Sequence, residues 1–571
     1  MFEQIKKVYG VLDKHNRYLF FALLSLSFLV SILELFSLSM LIPLVTIFFN
    51  EGSYEYETSG YIMPQILDYI KLIFYGLDTK TILIITVLFF VIKSFIVMTI
   101  SWLQYKFSFR IQSVISAKLL QKYVNEDYQK FKSYNSSYLT RNIYTEAGVF
   151  RKIVLQFVMF VFEIMLCTLL ITAVILISPM IISLIILSLS IVIGVYLFLT
   201  KNLINKWGKL RVKYSGRILF EINEILNGVK EITVYMKQKF FINRYKNTYS
   251  KYISLAILNG VIKSFPRPFL ETLTVLFFII SIGLLFQYNY DKTYILLILT
   301  LIISASVKLM PSAVRIINIY QQLKFFKPSA DLIYDELYKL KDISISKQEL
   351  KKINKISISN LTYKINNKQL FDKTNVEFNK GEIVTIYGSN GSGKTTLIDI
   401  TMGLIKPDHG EVLINNEINL KHSVNEIGFV PQTVFLFDDT IYNNILIGSS
   451  DIDKVNKNKI NELANHLTLD NFLKQLDKGL DTVVGQSGKL VSGGEASKIG
   501  LARALINDPK VLVLDEFSNT LDERSRIKIM EYFQTIKKDK IIIIITHDKS
   551  IKEFSDKIYL IENKQIIKQN N

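Results

Sequence analysis

A chain of 571 residues is too long for one ordinary domain, and half of it is hydrophobic, with a mean hydropathy of +0.28. That balance excludes an ordinary cytosolic protein. Lys and Arg outnumber Asp and Glu by 68 to 50, a formal net charge of +18, and the single cysteine, Cys167, excludes an intramolecular disulfide framework.

The opening residues, MFEQIKKVYGVLDKHNRYLF, carry no small-residue cleavage site and run straight into an apolar stretch, so they do not read as a cleaved signal. Ile5, Val8 and Leu12 recur at helical spacing opposite Lys6, Lys7 and Lys14, which predicts a short helix along the cytoplasmic membrane surface. Six apolar stretches of membrane-spanning length follow, near 19–48, 82–103, 153–177, 180–199, 269–287 and 294–317. Two long segments rich in Lys and Arg, 104–152 and 201–263, lie between them. The short connections 54–80 and 288–292 hold only Lys71, Lys80 and Lys292. The positive-inside rule therefore puts both termini and both long segments in the cytoplasm. Basic loops beside anionic lipid then account for the net charge, and nucleic acid is not an expected partner.

Helical patterning continues through the long segments, so the spans extend beyond the bilayer as helices, with polar turns near 127–138 and 221–231. Outside, Ile66, Ile70, Ile73 and Leu77 make a helical stripe after Pro64: a small amphipathic helix or a packed loop. Beyond Lys327 the short β-branched runs GEIVTIYG, KVLVLDE and KIIIIITHD alternate with helical patterns, as in a soluble α/β domain with a mostly parallel sheet. The expected division is an α-helical membrane domain over 1–330, a Lys- and Asp-rich linker over 331–354, and an α/β P-loop nucleotide-binding domain over 355–571.

The chemistry begins at GSNGSGKTT. Gly388, Ser389, Asn390, Gly391, Ser392, Gly393, Lys394, Thr395 and Thr396 follow a strand and open a helix, the arrangement a phosphate cradle needs. Glycines let backbone N–H groups curl around an anion, Lys394 reaches the terminal phosphates of ATP, and Thr395 ligates Mg2+. Asp515 ends the strand VLVLD, where it can hold the magnesium. Glu516, next along, is placed to polarise the attacking water, and His547 ends another strand within reach of the γ-phosphate.

A second cradle, VSGGEASK at 491–498, has no use in a domain with one P-loop. It resembles the signature of ATP-binding cassette (ABC) proteins, in which Ser492, Gly493, Gly494 and Glu495 would cover the nucleotide held by another copy. The resemblance implies an adenine-stacking role for Tyr363, a Q-loop role for Gln432 beside Thr395 and Asp515 at the magnesium, and a D-loop role for Asp522. Three departures stand out: Glu495 in place of glutamine, Val491 in place of leucine, and SNTLD in place of SALD. An acid at 495 puts the ATPase rate in question.

Six spans with two long excursions, fused to one cassette, resemble half of an ABC exporter of the type IV, MsbA-like architecture. That implies coupling helices near 127–138 and 221–231, an X-loop in TVVGQSG (482–488), and a homodimer, since one cassette cannot complete a composite site. A bacterial inner (plasma) membrane is the implied location.

Three cations, Lys93, Lys308 and Arg315, interrupt the apolar stretches, and a fourth, Arg267, flanks one. Counting about 1.5 Å per residue from the outer ends puts Lys93 and Lys308 mid-membrane and Arg267 and Arg315 near the cytoplasmic boundary. Such charges are costly in lipid. Two readings follow from placement alone: a ladder for an anionic head group, or neutralisation by Glu34, Glu163 and Glu271 at similar depths. The segments ILELFSLSMLIPLVTI, SFPRPFLET and KLMPSAVRII resemble those of PglK-type flippases. This likeness implies translocation of a polyprenyl-pyrophosphate-linked oligosaccharide, with Lys93, Arg267 and Lys308 at the pyrophosphate. The competing readings are an exporter of other lipids, drugs or peptides, and a soluble ATPase switch, which would not partition with membranes.

Overall fold

Inside a bilayer every backbone N–H and C=O must be satisfied within the chain, so long apolar runs fold as helices. The computed structural model describes residues 2–39, 79–177, 179–287, 292–339, 353–365, 368–416, 418–419, 426–449, 457–485, 488 and 490–569. Two compact units emerge: Met1–Glu126 with Lys132–Asp342, and Asp127–Phe131 with Ile343–Asn571.

The first unit is helical. α1 (Phe2–Val11) and α2 (Lys14–Ser39) are followed by α3 (Thr79–Val124) and, after α4 (Tyr128–Ser133), most of which counts with the second unit, by α5 (Ser136–Thr140). A π-helical turn, Arg141–Glu146, leads into α6 (Ala147–Ile177) and α7 (Pro179–Asn227). The short α8 (Val229–Val234), α9 (Gln238–Ser264), α10 (Pro266–Gln287) and α11 (Lys292–Lys339) complete it. Three stretches, Lys14–Ser37, Lys80–Val124 and Ser136–Thr172, are long and apolar enough to cross a membrane among the described residues. The expected outer helix after Pro64 lies outside the described residues.

The short helix expected at the start of the chain is α1, Phe2–Val11. Val8, Val11 and Leu12 are buried, Gln4 donates to the Leu323 carbonyl at 3.1 Å, and Lys7 pairs with Asp331 at 2.6 Å. Val8, Val11 and Leu12 join the core that holds Leu323, Ala330 and Ile333 of α11, while Ile5 stays exposed.

The core of this unit lies along the long helices: Phe107, Ile111 and Leu119 of α3 meet Phe150, Ile153 and Phe157 of α6 and Leu323, Ala330 and Ile333 of α11. A buried ion pair, Arg211 with Glu146 at 3.0 Å, ties α7 to the π-helical turn, and Arg211 also bonds Ser329 of α11. α7 and α11 approach closely at Gly208, where a Cβ would lie 2.2 Å from the Phe325 carbonyl oxygen.

In the second unit the apolar runs are strands. β1 (Lys355–Ile365), β2 (Lys368–Asn379), β4 (His409–Ile414) and β5 (Ile418–Asn419) form an antiparallel sheet in the order β2-β1-β4-β5. The larger sheet has the order β10-β9-β3-β8-β7-β6, from β3 (Ile383–Gly388), β6 (Ile427–Val430), β7 (Val511–Asp515), β8 (Ile541–Ile545), β9 (Lys557–Glu562) and β10 (Gln565–Gln569). β9, β3, β8, β7 and β6 run parallel. β8 is five isoleucines, each fully buried, as a strand covered on both faces requires. α12 (Lys394–Thr401), α13 (Ile441–Leu446), α14 (Lys457–His466), α15 (Asp470–Gln475), α16 (Gly493–Leu505) and α17 (Glu523–Ile536) complete this unit.

Candidate nucleotide site

In a parallel sheet, ligands gather outside the carboxyl ends of the strands, where following loops diverge. Four neighbouring strands deliver the expected groups there. β3 runs into Gly388, β7 ends at Asp515, β8 is followed by Thr546 and His547, and β6 by Pro431 and Gln432. The register aligns them: Ile386 pairs with Ile545, and Ile545 with Asp515.

The loop after β3 is shaped by its glycines. Gly391 and Gly393 have φ of +79° and +102°, a region that favours glycine, and a Cβ on Gly393 would come within 2.9 Å of the Phe371 ring. Gly393 begins α12, whose unpaired N–H groups point into the loop. The Lys394 ammonium, nearly buried, donates to the Gly388 and Ser389 carbonyls at 2.9 and 3.1 Å. Ser392 Oγ is buried without a hydrogen-bond partner in the protein. An orphaned hydroxyl in a ring of backbone donors fits a phosphate oxygen. Tyr363 is 5% exposed and lies across the sheet from Phe371, the ring beneath Gly393. Asn390 is exposed and Thr396 half-buried.

Thr395 Oγ1 donates to Asp515 Oδ2 at 3.2 Å, so hydroxyl and carboxylate stand side by side. Burial pushes the Asp515 carboxyl above its ordinary value, with Glu516 and Asp399 adding to the rise against the Thr395 bond. A cation here would be met by a hydroxyl, a carboxylate and the Gln432 amide, a hard oxygen set that suits magnesium.

Glu516 is the strained residue of the site. Its φ of 50° and ψ of 30° are left-handed, a conformation costing a non-glycine residue about 1–3 kcal/mol. Its N–H donates to the Ile545 carbonyl at 2.9 Å. Its Oε2 accepts from Gln432 Nε2 at 2.6 Å and from Asn519 Nδ2 at 2.9 Å, leaving Oε1 3.5 Å from His547 Nδ1. The exposed imidazole and the buried carboxylate therefore face one another.

Ser492 caps α16, its Oγ accepting from Glu495 N at 3.3 Å, which leaves Gly493 and Gly494 at the open helix start. The close fit of Gly494 is against Thr520, whose carbonyl a Cβ would approach to 2.9 Å. Asp522 caps α17, and its bond from Ser525 lowers its pKa. Sequence reasoning noted SNTLD but missed its consequence. Asn519 bonds the Glu516 carboxylate, and Thr520 Oγ1 shares a hydrogen bond with Ser497 Oγ of α16 at 2.7 Å. The signal was there, two side chains with donors where the common pattern is smaller.

In the helical unit the cations meet carboxylates. Lys93 pairs with Glu34 at 2.8 Å, Arg267 with Glu271 at 3.0 Å, and Arg315 with Glu163. Lys308 lies in α11, and its side chain falls outside the described residues.

Residues 371–519 match the ABC transporter family model. The chain is 28% identical over 399 residues to an ATP-dependent lipid A-core flippase of Wigglesworthia glossinidia brevipalpis, with 67% of each chain covered. It is 32% identical over 212 residues to the protein of that name from Idiomarina loihiensis, with 36% of each covered. A relative of the same name from Francisella tularensis is 26% identical over 393 residues, 66% of this chain and 64% of that one. The fold is that of a bacterial Atm1-family ABC exporter with ATP bound: TM-score 0.75 at 17% identity, covering 97% of this chain and 94% of the other.

Proposed function

We propose that this membrane protein, an ABC transporter with the exporter fold and an ATPase cassette, is a homodimeric flippase. Its substrate would be a lipid-linked oligosaccharide, polyprenyl-pyrophosphate-linked, moved from the inner to the outer leaflet of a bacterial inner membrane. Each half would contribute six spans within 1–330 and a cassette within 355–571.

The observation that carries ATP hydrolysis is the Glu516 carboxylate, held by Gln432 and Asn519 beside the Thr395–Asp515 pair. Tyr363 would stack on adenine. Gly388 to Thr396 would cradle the phosphates, and Thr395, Asp515 and Gln432 would hold Mg2+, whose charge stabilises the transferring phosphoryl group. Glu516 orients and polarises water, and His547, 3.5 Å away, lines the same pocket. Ser492, Gly493, Gly494 and Glu495 would close over the nucleotide of a second copy, with Asp522 at that junction.

Lipid as the substrate class is supported by the flippases among the relatives. The glycan lipid is supported by the membrane segments around Lys93, Arg267 and Lys308. With Glu34, Glu163 and Glu271 already paired to cations, Lys93, Arg267 and Arg315 would engage a head group by exchanging partners. A lipid A-like substrate is the second reading, favoured by those relatives' names.

The deciding experiment is ATP-dependent flipping of a fluorescent polyprenyl-pyrophosphate glycan in proteoliposomes, wild type against Glu516→Gln. Flipping by wild type alone is expected. Movement of lipid A but not of the glycan lipid would overturn the glycan reading. Loss of a general base lowers rates about 10²–10⁴-fold, so Glu516→Gln should retain nucleotide and hydrolyse almost none.

A further inference from the structure

From Glu516 to Asp522 the chain runs through a single 3₁₀ turn, Phe517–Thr520. Phe517 anchors its start, buried with its ring centroid 5.9 Å from that of Phe533. Asn519 reaches back from the turn, its Nδ2 donating to Glu516 Oε2 at 2.9 Å. A short amide side chain can follow a moving carboxylate only slightly, so this bond is as precise as the turn is fixed.

Thr520, the next residue, fixes the turn against α16. Its Oγ1 shares a hydrogen bond with Ser497 Oγ at 2.7 Å, and Ser497 is 5% exposed. The fit around that bond is close. A Cβ on Gly494 would lie 2.9 Å from the Thr520 carbonyl oxygen, and one on Gly493 would lie 3.5 Å from Thr520 Cγ2. The two glycines that open α16 thus form the notch in which Thr520 sits. A second fastening runs alongside. Lys498 donates to the Thr468 carbonyl at 3.2 Å, Thr468 Oγ1 to Ser525 Oγ at 2.9 Å, and the Ser525 N–H to Asp522 Oδ2 at 2.9 Å. It holds the chain just beyond the turn even when the Thr520 hydroxyl is gone.

We propose that Thr520 and Ser497 are positioning residues for ATP hydrolysis, acting on Glu516 through Asn519. In SALD an alanine would stand where Thr520 does, and alanine has no hydroxyl to offer Ser497. Glu516 needs such support more than an unstrained residue would. Its left-handed backbone, with φ of 50°, persists only because its surroundings hold it there. Slack in the turn would let the carboxylate leave the water that it polarises. The role rests on reading Glu516 as the group that polarises that water.

ATP hydrolysis by the full-length protein in nanodiscs tests this with Thr520→Val, which keeps the branched shape and removes the hydroxyl. One neutral hydrogen bond is worth about fivefold in rate, so kcat should fall by that factor. KM for ATP and the melting temperature should stay at their wild-type values. Ser497→Ala, from the other side of the bond, should give the same loss, and Thr520→Ser should restore most of the rate. With Asn519→Ala already in place, Thr520→Val should change kcat by less than about twofold, since the path runs through Asn519. An unchanged kcat in Thr520→Val overturns the proposal, and so does a loss that multiplies with that of Asn519→Ala. A raised KM or a lowered melting temperature in both Thr520→Val and Ser497→Ala assigns the pair to nucleotide binding or to folding, and overturns it too. Glu516→Gln keeps the two readings apart. Inactive Glu516→Gln beside unaffected Thr520→Val removes the positioning role alone. A Glu516→Gln protein as fast as wild type removes the base, and the positioning role with it.

Discussion

Lys93 of α3 donates to Ser37 at 3.1 Å and pairs with Glu34 of α2 at 2.8 Å, the lysine side chain almost wholly buried. Breaking a buried pair from one side leaves an uncompensated charge, at about 3–5 kcal/mol, whereas replacing both partners is far milder. Lys93→Met should therefore destabilise the protein strongly, and adding Glu34→Gln should restore most of the loss. Thermal unfolding in detergent reads this. A double variant no more stable than the single one would mean that Glu34 is not what the lysine answers to.

Asn519 is one of two amide donors on the Glu516 carboxylate. Hydrogen bonds to charged groups contribute about 1.5–3 kcal/mol, so Asn519→Ala should lower kcat for ATP hydrolysis about tenfold or more. KM for ATP should change little, because the lost bond positions the base rather than the nucleotide. Steady-state ATPase assays separate the two. An unchanged kcat would show that Gln432 holds the carboxylate by itself.

Asp515 carries a pKa raised chiefly by burial. An acid whose folded pKa exceeds its unfolded value holds its proton more tightly in the native state. Stability therefore falls as pH rises from the ordinary aspartate value through the raised one, and the loss persists at neutral pH. Asp515→Asn should raise the cassette's Tm at pH 7, narrow that gain toward pH 4, and abolish magnesium-dependent ATPase. Calorimetry at both pH values tests the sign; a lower Tm at pH 7 would refute it.

Gly208 lets α7 approach α11, since a Cβ there would sit 2.2 Å from the Phe325 carbonyl oxygen. Backbone cannot yield as a side-chain tip can, and overpacking of this kind costs about 1–3 kcal/mol. Gly208→Ala should lower the melting temperature of the full-length protein. Gly194→Ala, with nothing within 4 Å of the added carbon, should leave it nearly unchanged.

What could be read from the sequence alone was local. The phosphate loop, the acids at the end of β7 and the capped start of α16 are each spelled within a few consecutive residues, because a strand-to-loop-to-helix turn needs particular residues in order. Helix against strand was likewise legible, from apolar runs of twenty residues in one half and five in the other. Contacts between distant segments were not. Glu34 and Lys93, or Glu163 and Arg315, meet only because separate helices settle at particular rotations, and a turn of 100° per residue lets one position of shift exchange partner for lipid. The same holds for α1, whose contacts with α11 join the two ends of the helical unit's sequence. Composition supplied the charges; helix packing alone decided which carboxylate each cation meets.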